Sequence, residues 1–373
     1  MITTNNLENK VFYKNPSLLK SLSSSKNNNY DFKRIKKFKK FKTVVIIGMG
    51  GSILGSKAIY SFLKHKIKKN FIFIDNLDFE LLKKIEIKKN PSKFLFIVIS
   101  KSGNTTETIV NTGYFKNYFK KNNLIIISEK KDNILYNLAK KRDFFFIKHN
   151  PNIGGRYSVF SEVGMIPAYL MGLNPLKIKK KLFHFFKNKK NLIISNRYTK
   201  KIYQKKIKAL VFFNYVPQLN DFLFWCQQLL AESLGKNKKG FIPVISNAPK
   251  DHHSLMQLYL DGPKDKLFYV FSSKNNNSFK FNNKIFGKKV KFLHNKNYSK
   301  IKNTQKKAFI EVLKISKIPF REFEIKKFNE KNLANLFLLF IFETILLANL
   351  MGVDAFNQPA VEKVKILTKK FLS

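Results

Sequence analysis

Cysteine is nearly absent from this chain: Cys226 is the only one in 373 residues. A lone thiol excludes an internal disulfide framework and fits a reducing compartment, so a cytoplasmic location is expected. Histidine is sparse too, at six residues, and the adjacent pair His252-His253 would point in different directions on a helix. That weakens any metal-site reading. The opening segment MITTNNLENK lacks the charged-then-apolar pattern of a secretory signal. Uninterrupted apolar runs of membrane length are missing as well. The stretch 333–351 comes nearest, but Asn335, Glu343 and Asn349 interrupt it. A central carboxylate is costly in hydrocarbon, so a buried helix is expected there and no membrane partner.

Acidic residues are scarce: 23 Asp and Glu stand against 72 Lys and Arg, a formal net charge of +49. Such a balance suggests nucleic acid or anionic lipid as a partner. A nucleic-acid binder, however, concentrates its charge on one segment or face. Here lysines recur from KRIKKFKKFK near residue 33 to KILTKK at 365–370, between apolar elements. Lys, Asn, Ile and Phe are inflated together, as AT-rich codon usage produces. The charge is therefore read as compositional drift, with no nucleic-acid partner. It would still attract an anionic substrate.

What is present is a regular alternation. Apolar residues make up 44% of the chain, enough for sizeable cores, and the length suggests two domains. Short β-rich runs occur at 44–48, 71–75, 94–100, 124–128 and 144–147, and again at 209–215, 240–246, 267–272, 289–294 and 321–325. Longer helix-like segments such as 57–65 and 106–119 separate them. Unbroken apolar runs suit parallel strands covered on both faces. Two such sets in series predict an α/β fold with two sheets. The lysine-dense stretch 177–205 is expected to join them, and helices at about 332–351 and 360–371 to end the chain.

Chemistry-bearing residues cluster after these strands. The first strand enters Gly48-Met49-Gly50-Gly51-Ser52-Ile53-Leu54-Gly55 and then a helix, a geometry that turns backbone N–H groups toward an anion. A dinucleotide site is one reading, with Asp75 as the ribose-binding acid, but Ile53 stands where the third glycine belongs. The third strand ends in Ser100-Lys101-Ser102-Gly103-Asn104-Thr105, again entering a helix. Ligands of open parallel sheets bind beyond the carboxyl ends of strands, and hydroxyl and N–H donors suit a phosphate monoester. Helix capping by Ser or Thr is the plainer alternative.

Arg156, beside the paired glycines 154–155, has the charge to stabilise an oxyanion. Gln228, Glu232 and Lys236 share a helix face at i, i+4 spacing, where Glu232 is either a proton carrier or half of a surface ion pair. His253 sits at a polar helix entrance, suited to proton transfer. Gln358 and Lys365 are seven apart, two turns on one face if both are helical.

Together these segments resemble the phosphoglucose isomerase family from about residue 44 to 370. GGRYSVFSEVG (154–164) and AFNQPAVEKVK (355–365) are similar to the family's two signature regions, and SKSGNTTET, QQLLAES and the His253 segment fall in the expected order. The resemblance implies two sugar-isomerase (SIS) domains, at 30–176 and 177–330, with C-terminal helices at 331–373 completing the site. It implies aldose–ketose isomerisation of glucose 6-phosphate and fructose 6-phosphate through an enediolate, without metal or redox cofactor. It also implies a homodimer with the site at the subunit boundary. By position, Gly51, Ser52, Ser100, Lys101 (through its backbone N–H), Ser102 and Thr105 would hold the phosphate. His253, from the neighbouring subunit, would open the ring with help from Lys365. Gln358 would position the substrate, Glu232 would move the proton between C1 and C2, Arg156 would stabilise the enediolate, and Gln228 would line the pocket. Two alternatives remain: a non-catalytic sugar-phosphate sensor of the same fold, and an isomerase that also accepts mannose 6-phosphate.

Overall fold

A computed structural model describes residues 18, 32–85, 87, 91–178, 198, 199, 202, 207–274 and 279–373. The opening segment and most of the expected connection at 177–205 lie outside the described residues. The apolar runs form two sheets. The first contains β1 (Thr43–Gly48), β2 (Asn70–Ile74), β3 (Phe94–Ile99), β4 (Leu124–Ser128) and β5 (Phe145–Lys148), in the order β2-β1-β3-β4-β5. The second contains β6 (Ala209–Asn214), β7 (Ile242–Asn247), β8 (Lys266–Ser273) and β9 (Phe320–Ile325), in the order β7-β6-β8-β9. Every pairing is parallel.

The strands are apolar on both faces because both faces are covered. Val44 and Ile46 of β1 join one core cluster, while Val45 and Ile47 join another on the opposite side. In the second sheet, Leu210 and Phe212 face the first of these clusters, and Val211 and Phe213 face a third. The shared cluster lies between the sheets and is filled by four helices: α1 (Leu54–Leu63), then, past α2 (Thr106–Tyr114) and α3 (Ile134–Arg142), α4 (Glu162–Leu170), α5 (Asn220–Leu234) and, after α6 (Tyr298–Ile315), α7 (Glu330–Met351). Leu135 and Ala139 of α3 cover the outer face of the first sheet, and Phe309 and Leu313 of α6 that of the second. The architecture is therefore α/β, with two SIS-type parallel sheets flanked by helices.

Position explains composition in α7. It is long and apolar enough to cross a membrane, yet most of it is buried inside the protein. Phe337 packs edge-on against Trp225 of α5 with centroids 4.6 Å apart. Such aromatic pairs contribute about 0.5–1.5 kcal/mol beyond area burial. Glu343, the carboxylate that interrupts the run, receives both Arg321 Nη1 contacts, at 2.8 and 3.0 Å.

Two sequence expectations need correction. Residues 289–294 form no strand: they lie in a 3-10 turn, Lys288–Leu293, and Phe292 is 73% exposed. Val290 and Phe292 alternate with lysines and so imitate a half-buried strand. Gly287 (φ 76°) and Asn295 (φ 56°) bend the chain at either end, leaving Phe292 in solvent and Val290 and Leu293 half-buried. The helix expected at 106–119 ends at Tyr114, followed by a short 3-10 turn, Lys116–Tyr118.

Candidate functional site

Pairing of β1 with β3 sets Gly48 opposite Ile99, so the loops that follow these strands are neighbours. A side chain at Gly48 would sit 2.9 Å from the Ile99 carbonyl and 3.2 Å from Ser52 Cβ, which places Ser52 over the β1–β3 junction. Ser100 is buried, and its Oγ lies 2.9 Å from Thr105 Oγ1. The backbone N–H of Gly103, at φ 71°, donates to Ser100 Oγ, and that of Asn104 donates to Ser102 Oγ. Asn104 Oδ1 in turn accepts from Ile134 N, which braces the loop on the start of α3.

The capping alternative is answered by where the hydroxyls go. Thr105 occupies the N-cap of α2 but makes no side-chain cap bond, and Ile53 at the N-cap of α1 cannot make one. Asn133, Ser161, Asn297 and Asn329 cap α3, α4, α6 and α7 with their own oxygens, while α5 (Asn220–Leu234) and the C-terminal helix Ala360–Leu372 start at Leu219 and Pro359 without a side-chain cap. The two helices that start at the glycine and serine loops thus leave N–H donors unspent at their positive ends, the arrangement that binds phosphate. Asp75, the ribose-binding acid of the dinucleotide reading, pairs with Lys57 at 2.8 Å. Lys101 Nζ stands 3.9 Å from Glu129. Burial holds its pKa below the usual lysine range; Glu129 opposes this, while Lys131 and Arg156 add to it.

The last of those couplings leads to the second half of the site. Gly51 packs directly on the backbone of Gly155 and Arg156, with no room for a side chain. Arg156 is buried, and its guanidinium is fully engaged. Nε donates to Ser233 Oγ at 2.8 Å; Nη1 donates to Glu232 Oε2 at 3.1 Å and Gln358 Oε1 at 2.9 Å; Nη2 donates to the carbonyls of Ala355 at 2.6 Å and Asn357 at 3.1 Å. Gln228 Nε2 donates to the other Glu232 oxygen at 2.9 Å, as the i, i+4 spacing predicts. Gln228 Oε1 is buried without a hydrogen-bond partner, and Gln228 abuts Gly50. Trp225 Nε1 fixes the Arg156 carbonyl at 3.1 Å.

The structure therefore gathers Gly51, Ser52, Ser100, Lys101, Ser102, Thr105, Arg156, Gln228, Glu232 and Gln358 around one edge of the first sheet. It does not gather His253 or Lys365. His253 is exposed at the end of a 3-10 turn, Lys250–His253. Its neighbour His252 lies against Tyr215, with Nε2 2.7 Å from the hydroxyl. Lys365 lies on α8 (Ala360–Leu372), a helix with no buried residue, and its ammonium pairs with Glu362 at 2.7 Å. Gln358 precedes that helix, whose N-cap is Pro359, so Gln358 and Lys365 do not share a helical face.

Sequence reasoning missed Ser233 and Tyr157, whose hydroxyls meet at 2.9 Å beneath Arg156. Their only signal was adjacency to Glu232 and Arg156. Of the two readings of Glu232, the surface ion pair with Lys236 does not form: Lys236 Nζ donates to Ser233 O and Asp354 O.

Fold and site define a double-sheet α/β protein with hydroxyl- and N–H-rich loops at its strand ends, beside an arginine–carboxylate centre. The phosphoglucose isomerase family model matches residues 18–373, and the chain belongs to that family. Among curated relatives, glucose-6-phosphate isomerase of Methanocaldococcus jannaschii is 34% identical over 344 residues, covering 87% of this chain and 83% of the relative. The Mycoplasmopsis synoviae glucose-6-phosphate isomerase is 32% identical, covering 87% and 81%. Among solved structures, a hypothetical protein from Thermus thermophilus superposes with a TM-score of 0.83 at 22% identity, covering 99% of this chain and 94% of that one. A glucose-6-phosphate isomerase from Chlamydia trachomatis gives 0.72 at 18%, covering 91% and 71%.

Proposed function

We propose that this chain interconverts glucose 6-phosphate and fructose 6-phosphate. The observation that carries the reading is the contact of one buried guanidinium with both Glu232 and Gln358, next to two uncapped helix starts. The phosphate anchors on the 50–52 and 100–105 loops, where N–H and hydroxyl donors converge. That anchor orients C1 and C2 toward Glu232, and orientation alone supplies a large share of such rate enhancements. Glu232 takes the carbon-bound proton and returns it to the neighbouring carbon. Arg156 exchanges part of its present bonding for the enediolate oxygen, and Gln228 Oε1 is free to accept from a sugar hydroxyl. General base catalysis contributes about 10²–10⁴-fold.

His253 and Lys365 complete the mechanism from a partner subunit and from α8, respectively, in a cytoplasmic homodimer. Two features support this: His253 is exposed on its own chain, and α8 presents Val361, Val364, Leu367 and Phe371 to solvent. Sedimentation showing a monomer at assay concentration would remove it. The same reading divides the chain at 177 and 331, one sheet to each of the first two parts. For the activity itself, the test is coupled conversion of fructose 6-phosphate to glucose 6-phosphate, with Glu232→Gln alongside. An inactive wild-type protein that still binds the substrate is the signature of a sensor. An active Glu232→Gln variant removes Glu232 as the base.

A further inference from the structure

Resting on that reading, we propose that Lys236 is a positioning residue for the isomerisation. Its ammonium ties the C-terminal end of α5 to the 353–358 segment and so keeps Glu232, Gln358 and Arg156 in one geometry. Both of its described contacts are to backbone carbonyls, Ser233 O at 2.8 Å on α5 and Asp354 O at 2.6 Å across the gap.

The segment it holds belongs to no helix or strand. After Gly352, in the left-handed conformation at φ 65°, its internal support is the Phe356 N–H to Asp354 Oδ1 bond at 2.8 Å. Its placement comes from side chains that grip its carbonyls. Lys236 holds Asp354 O, Arg156 and Tyr157 both hold Ala355 O, and Arg156 also holds Asn357 O, while Lys239 grips Met351 O at the end of α7, at 2.7 Å. Arg156 and Tyr157 also reach α5, through the side chains of Glu232 and Ser233, whereas Lys236 joins a backbone carbonyl of α5 to a backbone carbonyl of the segment. Glu232, Lys236, Asp354 and Gln358 line one cavity of about 710 Å³, so a shift of the segment changes the space beside the base directly.

Charge around Lys236 makes its role readable by pH. Burial, then Arg156, lower its pKa to about 8, and Asp354 and Glu232 partly offset this. Lys238 and Lys239 line the same cavity, and Tyr157 faces the segment from the other side. A lysine depressed on folding binds fewer protons in the native state between its two pKa values, so its contribution to stability rises with pH there. Over the same interval the charge-assisted bonds to Ser233 O and Asp354 O weaken. Activity and stability thus move in opposite directions above pH 8, which a merely structural lysine does not produce.

The experiment is the kcat–pH profile of wild type, Lys236→Arg and Lys236→Met in the coupled assay, with melting temperatures over the same range. Wild type is expected to lose kcat on an alkaline limb near pH 8. Lys236→Arg should retain most of kcat and move the limb upward. Lys236→Met should lose the limb and about tenfold or more in kcat, with KM little changed. A limb that stays in place in Lys236→Arg belongs to another group, such as Lys101, and overturns the proposal. Wild-type kcat in Lys236→Met does the same. An inactive wild type overturns the isomerase reading and this inference with it, whereas active wild type with unmoved variants overturns the inference alone.

Discussion

Replacing Arg156 by lysine keeps the charge and removes the fork. The guanidinium gives five hydrogen bonds, to Ser233 Oγ, Glu232 Oε2, Gln358 Oε1, Ala355 O and Asn357 O. An ammonium has three donors, so at least two of these acceptors lose their partner; Ser233 Oγ and Ala355 O are buried, while Asn357 and Gln358 are exposed and can turn to water. A buried polar group left unpaired costs about 1–3 kcal/mol, so Arg156→Lys should destabilise the fold by about 1–3 kcal/mol. A second loss is chemical. Removing a donor aimed at a developing oxyanion costs about 10²–10³ in kcat, and a point charge without planar geometry recovers little of it. Denaturant unfolding measures the first effect and the coupled assay the second. Ser233→Ala is the control, since it vacates the Nε contact and the Tyr157 hydroxyl but leaves the other four guanidinium bonds in place. An Arg156→Lys protein with wild-type stability and kcat would refute the reasoning, because it would mean that the five contacts are not simultaneously in use.

Gly51→Ala places a methyl group into the backbone of Gly155 and Arg156. Backbone cannot rotate aside, so a cost of about 1–3 kcal/mol or more is expected, with activity falling further than stability because the methyl separates the phosphate loop from Arg156; thermal melting beside kcat/KM checks this. Lys101 carries a lowered pKa, mainly from burial, so it loses its charge earlier than an exposed lysine as pH rises. KM for the sugar phosphate should therefore climb on the alkaline side while kcat follows other groups, and Lys101→Arg should flatten the climb. Glu343→Ala strands Arg321 in the core beneath the second sheet. A loss of about 3–5 kcal/mol in denaturant unfolding, with unchanged KM in the protein that remains folded, is expected.

The strands were legible because burial on both faces leaves no polar alternation to interpret: 44–48 and 209–215 announce themselves by uninterrupted Val, Ile and Phe. That the loops after β1 and β3 would be neighbours was legible for a related reason, since adjacent parallel strands bring their carboxyl ends together. The turn at 288–293 was not legible. Its alternation is that of a strand, and only the absence of a covering neighbour distinguishes it. Local spacing found the Gln228–Glu232 contact, because four residues on a helix fix a distance. It could not find Ala355 O and Asn357 O as partners of Arg156, nor Asp354 O as the partner of Lys236. Those acceptors are backbone atoms of a segment without regular structure, and any residue type supplies a carbonyl.

The contrast in helix starts reaches beyond recognition. Among the eight labelled helices, four close their first turns with their own Asn or Ser oxygens; α1 and α2, like α5 and α8, do not, but only α1 and α2 start at the glycine and serine loops. A phosphate on these loops is therefore also the missing part of two helices, one in the inner layer and one on the outer face of the same sheet. Its binding is folding free energy, about 2.7 kcal/mol at a concentration one hundred times Kd. With sugar phosphate abundant, the population that resists unfolding is the occupied one, and the melting temperature rises with the ligand concentration.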